Sequence, residues 1–283
     1  MHFATIDYCG GLGNQLFQIF ALISYSIDMK KIPVLTFSDK SPSITPRSTY
    51  WETVFSSFKN FSSLEHGTRI QLKDAFVYTD LPNIDGNVIL DGYFQSYKYF
   101  DKNSFQIKSL LNFQDKIEVV RKKFFNEYLQ TDEDELLVSV HFRLGDYKKL
   151  QEHHPILPPS YYENAMKLLS GHKVKVLYFC EKEDIEIVER MYIPVINASK
   201  IVRVSSDIPD WEQMFLMSNC DWNIIANSSF SWWGAYLSKH QENVIYPSKW
   251  FHTETPHDLI PSSWKGVYPQ ASVEIEAQLG GTL

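Results

Sequence analysis

Phe3-Ala4-Thr5-Ile6-Asp7-Tyr8-Cys9-Gly10-Gly11-Leu12-Gly13-Asn14-Gln15-Leu16 is the stretch on which the fold turns. Residues 2–8 read as a short apolar strand, a glycine cluster follows, and Asn14 opens a helical pattern. Leu16, Ile19, Phe20, Ile23 and Ile27 recur at i, i+3, i+4, i+7 and i+11, which puts them on one helix face. Lys30-Lys31 suit the C-terminal end of that helix, and Pro33 stops it before a second strand, Val34 to Phe37. Strand, glycine turn, helix and strand make a βαβ opening. As a dinucleotide fingerprint the turn fails, because counting from Gly11 the third glycine falls at Leu16. That speaks against a nicotinamide oxidoreductase. The turn still lets backbone pass close to a ligand at Gly11 and Gly13, with the Asn14 and Gln15 amides able to bond sugar hydroxyls or phosphate.

Further along, Asn87 to Leu90 reads as a strand that ends in Asp91-Gly92 and runs into the aromatic stretch Tyr93, Phe94, Tyr97, Tyr99 and Phe100. The acidic run Thr131 to Glu135 reads as a solvated connection, so a boundary near 128–135 divides a domain 1–130 from a domain 131–283. Beyond it, strand Leu136 to Phe142, helix Tyr161 to Leu169, strand Val174 to Phe179 and an acidic helix through Ile185 and Val188 alternate. Strand Lys200 to Val204, helix Asp210 to Met217, strand Trp222 to Ala226 and helix Phe230 to His240 continue the pattern as a second doubly wound α/β unit.

Two places in that second unit carry chemistry. In Val138 to Tyr147, alternation puts Val138, Val140 and Phe142 on one strand face and Ser139, His141 and Arg143 on the other. A histidine and an arginine are costly on a covered strand unless satisfied, and ligands of open α/β sheets bind at the carboxyl ends of strands, where Arg143 and Gly145-Asp146 fall. The competing reading is an edge strand with one face in water. In Ile224 to Ala235, an apolar strand runs through Asn227-Ser228-Ser229 into a helix. Asn227 or Ser228 can cap that helix, leaving outward N–H groups and the Ser228, Ser229 and Ser231 hydroxyls as an anion site. Capping alone would explain the tripeptide; pairing with Arg143, whose fork can share a diphosphate with a helix start, is what points to a ligand.

Metal chemistry has little support. Asp132-Glu133-Asp134 has D-x-D spacing but precedes its strand, and His153-His154 lack partners at ligand spacing, so His154 reads as a structural or acceptor contact. No P-loop lysine motif and no G-x-S-x-G elbow occur.

Composition sets the frame. The chain has 283 residues, 27 Lys+Arg against 34 Asp+Glu and a net charge of −7, a balance that argues against nucleic-acid binding. Aromatics reach 15%, which suits large cores and also surfaces that stack on sugar rings. No apolar run is long enough to cross a membrane, and the first residues lack the charged and apolar regions of a secretory signal. Cys9, Cys180 and Cys220 lie in or beside apolar runs and read as buried free thiols. Asn60, Asn197 and Asn227 begin glycosylation sequons, but a glycan on Asn227 would obstruct the candidate site. The expectation is a cytoplasmic protein, compatible with peripheral contact at the inner face of a membrane.

These residues resemble the α-1,2-fucosyltransferases of glycosyltransferase family 11. The family's G-G-L-G-N-Q-L-F-Q segment is matched by Gly10 to Gln18, its H-x-R-x-G-D-Y segment by His141 to Tyr147, and a Ser/Trp-rich segment by Asn227 to Leu237. Asp91 to Ser96, Tyr161-Tyr162, Met217 to Cys220, Lys249 to Phe251 and Pro261 to Trp264 are smaller echoes in the same order, over roughly residues 7–265. Two departures stand out. Phe179-Cys180-Glu181-Lys182 replaces the frequent Phe-Ser-Asp-Asp, and Leu144 replaces a frequent second arginine, leaving Arg143 as the main phosphate-binding cation of its motif.

The resemblance implies a GT-B fold, two Rossmann-like domains facing a cleft. It also implies GDP-β-L-fucose as donor, a galactose-terminated glycan as acceptor, inversion at the anomeric carbon and no metal or other cofactor. His141, Arg143 and Asp146 then form the candidate catalytic group, with Asp146 the first candidate for taking the acceptor proton and Asp91 and Glu152 behind it. Gly11, Gly13, Asn14, Arg143, Asn227, Ser228, Ser229, Phe230 and Ser231 are the candidate donor contacts, and Asp91, Tyr93, Gln95 and His154 the candidate acceptor contacts. A transferase of another GDP-deoxysugar and a glycan-binding protein without turnover are the alternatives.

Overall fold

The structure is a computed structural model that describes residues 1–41, 47–63, 66–252 and 255–269. Two compact units emerge: residues 1–118 with 256–261, and residues 119–255 with 262–283. Both are α/β with a fully parallel principal sheet, in keeping with the GT-B class of two Rossmann-like domains.

In the first unit, β1 (Phe3–Ile6) lies between β2 (Ile32–Pro33) and a strand near residue 90. A short antiparallel pair, β3 (Lys40–Ser41) and β4 (Arg47–Ser48), stands apart, and β5 (Thr68–Gln71) and β6 (Val88–Asp91) complete the sheet in the order β2-β1-β6-β5. The helix after the glycine turn, α1 (Leu12–Asp28), begins two residues before Asn14, with Gly11 as its extended N-cap. Leu16, Ile19, Phe20 and Ile23 of the expected face are at most 1% exposed, whereas Ile27 is 42% exposed where the helix runs past the sheet. The second strand is Ile32–Pro33 instead of Val34 to Phe37. Val34 donates to Ala4 O at 2.9 Å, but Leu35 has already turned to Asn60 O at 3.0 Å, so the ladder with β1 ends there.

Two short helices follow, α2 (Ser104–Leu110) and α3 (Phe113–Phe124), and a wide helical turn, Phe125–Leu129, leads to the second sheet. Its strands are β7 (Glu135–His141), β8 (Lys173–Phe179), β9 (Lys200–Arg203), β10 (Trp222–Ile224), β11 (Val244–Pro247) and β12 (Lys265–Val267). The order is β9-β8-β7-β10-β11-β12, the doubly wound 3-2-1-4-5-6 arrangement. Its helices are α4 (Pro159–Lys167), α5 (Ile185–Met191), α6 (Asp210–Ser218) and α7 (Ser229–Tyr236). Because β7 pairs with both β10 and β8, the edge-strand reading is excluded. Val138, Val140 and Phe142 enter one apolar cluster with Tyr161 and Tyr162 of α4 and Val188 of α5. On the opposite face Ser139 Oγ bonds Asn223 Oδ1 at 2.6 Å and His141 lies 5.5 Å, ring to ring, from Phe230. The lysine of β8, Lys175, is buried and donates to Tyr128 O and Gln130 O at 2.6 and 2.7 Å, tying the turn before β7 to the sheet.

Most of the aromatic excess is core. Trp232, Trp233, Phe94 and Phe100 are 0% exposed, so of the stretch expected beside a sugar Tyr93, at 42%, is the exposed ring and Tyr97 is half-buried. Burying such rings removes far more apolar area from water than an aliphatic side chain would. All three cysteines are free, but Cys9 is half-buried on the glycine turn, not enclosed like Cys180 and Cys220. No helix among the described residues is long and apolar enough to cross a membrane.

Candidate active site

In a sheet of order 3-2-1-4-5-6 the strand order reverses between its first and fourth strands, and loops leaving their carboxyl ends diverge to open a crevice. Here those strands are β7 and β10, and they end in the two segments singled out by sequence.

After β10, Ile225 and Ala226 stay buried and Ser228 caps α7, its Oγ accepting from Phe230 N at 3.3 Å. Asn227 does a different job from capping. Its Nδ2 donates to Pro155 O at 2.9 Å and Trp250 O at 3.0 Å, while its backbone carbonyl accepts Tyr147 Oη at 2.9 Å. It thereby ties three loops to the helix start. Ser231, expected among the anion donors, is 1% exposed and its hydroxyl is engaged by Ala226 O and Ser228 O, both at 3.4 Å. Ser229 and Phe230, by contrast, are half-buried at the first turn, where N–H groups lack helical acceptors.

After β7, the side chain of Arg143 is 22% exposed and holds two carboxylates. Nη2 lies 2.5 Å from Asp146 Oδ1, Nη1 pairs with Glu181 Oε1, and the guanidinium carbon is 5.2 Å from the centre of the Tyr147 ring. Tyr147 in turn stacks on His154, centroids 4.7 Å apart and planes 19° from parallel. The turn is fixed from below by fully buried Asp184, which accepts Gly145 N–H at 2.7 Å and the Lys148 ammonium at 2.5 Å. Arg143, Asp146, His154 and the start of α7 are thus linked through Tyr147. Glu152, on the exposed turn between them, has no such tie among the described residues.

Electrostatics narrows the roles. Burial, reinforced by Arg143, pushes His141 down to about 3, so its imidazole is neutral at physiological pH. A neutral imidazole there is not a phosphate-binding cation. Burial likewise raises Tyr147 to about 12, keeping it a phenol that donates to Asn227. Sequence reasoning missed Tyr147 and Glu181 as partners of the arginine and Asp184 as the anchor of its turn; the only signal was the departure at Glu181 itself.

In the first unit, Gly10 has φ +79°, a left-handed conformation that favours glycine, and opens the turn before α1. Asn14 Oδ1 accepts Gln95 Nε2 at 2.7 Å, joining the helix start to the loop after β6. The Gln15 amide, expected to face a ligand, is fully buried and donates to Gly10 O at 2.9 Å and Ser48 O at 2.8 Å. Asp91, at the end of β6, accepts from Arg69 at 3.1 Å, and Arg69 also holds Asp7 at 2.5 Å. Gly11, Gly13, Asn14, Asp91, Tyr93 and Gln95 therefore belong to the first unit, and the remaining candidates to the second. Among the described residues no three His, Cys, Asp or Glu side chains are grouped as metal ligands.

Comparison with known proteins gives this geometry a family. An O-antigen biosynthesis glycosyltransferase of Escherichia coli, WbnK, is 26% identical over 90% of this chain and 97% of its own. An α-1,2-colitosyltransferase of Escherichia coli is 29% identical over 64% of this chain and 63% of its own. A galactoside 2-α-L-fucosyltransferase of Caenorhabditis elegans is 25% identical over 92% of this chain and 78% of its own. The model of the family described as Glycosyl transferase family 11 matches residues 4–267, a span that takes in both units and every residue of the sites above. The chain belongs to glycosyl transferase family 11.

Proposed function

We propose that this chain transfers L-fucose from GDP-β-L-fucose to the 2-hydroxyl of a galactose-terminated glycan, with inversion, in the synthesis of a glycan or surface polysaccharide. The observation that carries the reading is the pairing, at the switch point of the second sheet, of the Arg143 fork with the start of α7. In an inverting displacement negative charge grows on the departing diphosphate. Arg143, the first-turn amides of α7 and the Ser229 hydroxyl would take up that charge without a divalent cation. Phe230 would cover the nucleotide side. Asp146, bonded to Arg143 at 2.5 Å, is assigned here to orienting the arginine instead of to removing the acceptor proton. Asp91, Tyr93 and Gln95 of the first unit are left for the acceptor.

The similarity to an α-1,2-colitosyltransferase favours a second reading, a related GDP-deoxysugar as donor. The experiment is a screen of GDP-fucose and other GDP-sugars against galactosides, measuring GDP release and determining the linkage by NMR. Release of GDP from GDP-fucose with an α-1,2 product is expected. Turnover only with another deoxysugar selects the second reading, and glycan binding without GDP release from any donor refutes both.

A further inference from the structure

Arg143 would meet a diphosphate with both of its outer nitrogens already engaged by acids. Its two outer nitrogens both face carboxylates, Nη2 on Asp146 Oδ1 and Nη1 on Glu181 Oε1. One guanidinium between two carboxylates is net negative, and an incoming diphosphate meets repulsion there unless a carboxylate leaves.

The two acids are not equivalent. Asp146 sits three residues from Arg143 on the same turn and moves with it. Glu181 comes from the loop after β8, with 42% of its side chain in solvent. The turn after β7 is shaped to admit it: Gly145 has φ +31°, and a Cβ there would lie 2.6 Å from Glu181 Oε2. Buried Asp184 holds Gly145 and Lys148 in that shape.

We propose that Glu181 is a positioning residue that occupies one tooth of the Arg143 fork until the nucleotide arrives and is then displaced by the diphosphate. Nucleotide affinity is therefore set by a competition between carboxylate and phosphate. The inference rests on reading the second unit as the GDP site.

The exchange couples to protons. Glu181 is faced by Arg143 and Asp146 from the turn after β7, and by Asp184 and Glu183 on its own loop. Burial pushes its carboxyl up, Arg143 opposes that, and the three acids add to the rise. Once Arg143 turns to phosphate its opposing influence is lost and the diphosphate adds negative charge, so the carboxyl, moved off the fork but still on the turn, holds a proton more readily. Nucleotide binding should take up protons and tighten as pH falls into the carboxylate range.

The test is calorimetric titration of GDP into the wild type and Glu181→Gln across weakly acidic to neutral pH, where titration of GDP itself is common to both and cancels. Glu181→Gln is expected to bind GDP about threefold to tenfold more tightly at neutral pH, as one competing charged hydrogen bond is removed. The gap should close as pH falls, and the variant's KM for donor should drop without a gain in kcat. Equal or weaker GDP binding by the variant overturns the proposal and leaves Glu181 as a support for Arg143. Should the variant not fold, wild-type titrations with GDP-fucose in buffers of different ionisation enthalpy decide instead: proton uptake supports the exchange and its absence refutes it. Failure of the folded wild type to bind GDP overturns the transferase reading, and this inference with it.

Discussion

His141 is 7% exposed at the end of the central strand, with its imidazole pushed down to about 3 by burial and by Arg143. In the unfolded chain a histidine titrates near 6.5, so between these values the unfolded state binds more protons than the folded one and stability must fall as pH falls. The effect is absent above the unfolded value and grows by about 1.4 kcal/mol per unit below it. Acidification from neutral to about pH 5 should therefore destabilise the wild type by about 2 kcal/mol more than a folded His141→Gln variant. Urea unfolding at both pH values checks this, and equal losses would contradict a neutral buried imidazole. Arg143 and Asp146 were legible because polar residues ended an apolar strand. Glu181 was not, because it meets Arg143 from a loop 38 residues further on, a distance that local pattern does not span.

The start of α7 shows what an element adds to its residues. Sequence left Asn227 and Ser228 as equal candidates for the cap; the fold gives the cap to Ser228 and uses Asn227 to hold Pro155, Trp250 and Tyr147. Ser228→Ala should cost about 1 kcal/mol in chemical denaturation, the usual loss of a side-chain cap. Asn227→Ala should cost more, since the half-buried Pro155 carbonyl and the buried Trp250 carbonyl both lose their donor and an unmet buried group costs about 1–3 kcal/mol. Denaturation midpoints in the reverse order would contradict this division of labour. The strands of the second sheet and the helix after the glycine turn were readable from period and apolar content. The early start of α1 and the two-residue β2 were not, because they depend on where β1 stops finding partners.

At the scale of the whole chain, a net charge of −7 must coexist with a site for a diphosphate. On the proposed reading the diphosphate would be met by one arginine, once Glu181 leaves it, and the amides of one helix start, at the point where the strand order of the second unit reverses. The α/β class and the pairing of a strand-end arginine with a capped helix were visible in sequence; the strand order that joins them was not, since it depends on pairings between distant segments. If Arg143 and α7 together neutralise the leaving diphosphate, transfer should proceed unchanged in EDTA, and loss of activity restored only by a divalent cation would refute that. The most direct measurement is kcat/KM for GDP-fucose with a galactoside acceptor in wild type and Arg143→Ala, with circular dichroism to verify the fold. A fall of about a hundredfold to a thousandfold is expected for loss of one donor to developing charge. Near-normal turnover by a folded Arg143→Ala enzyme would contradict the account.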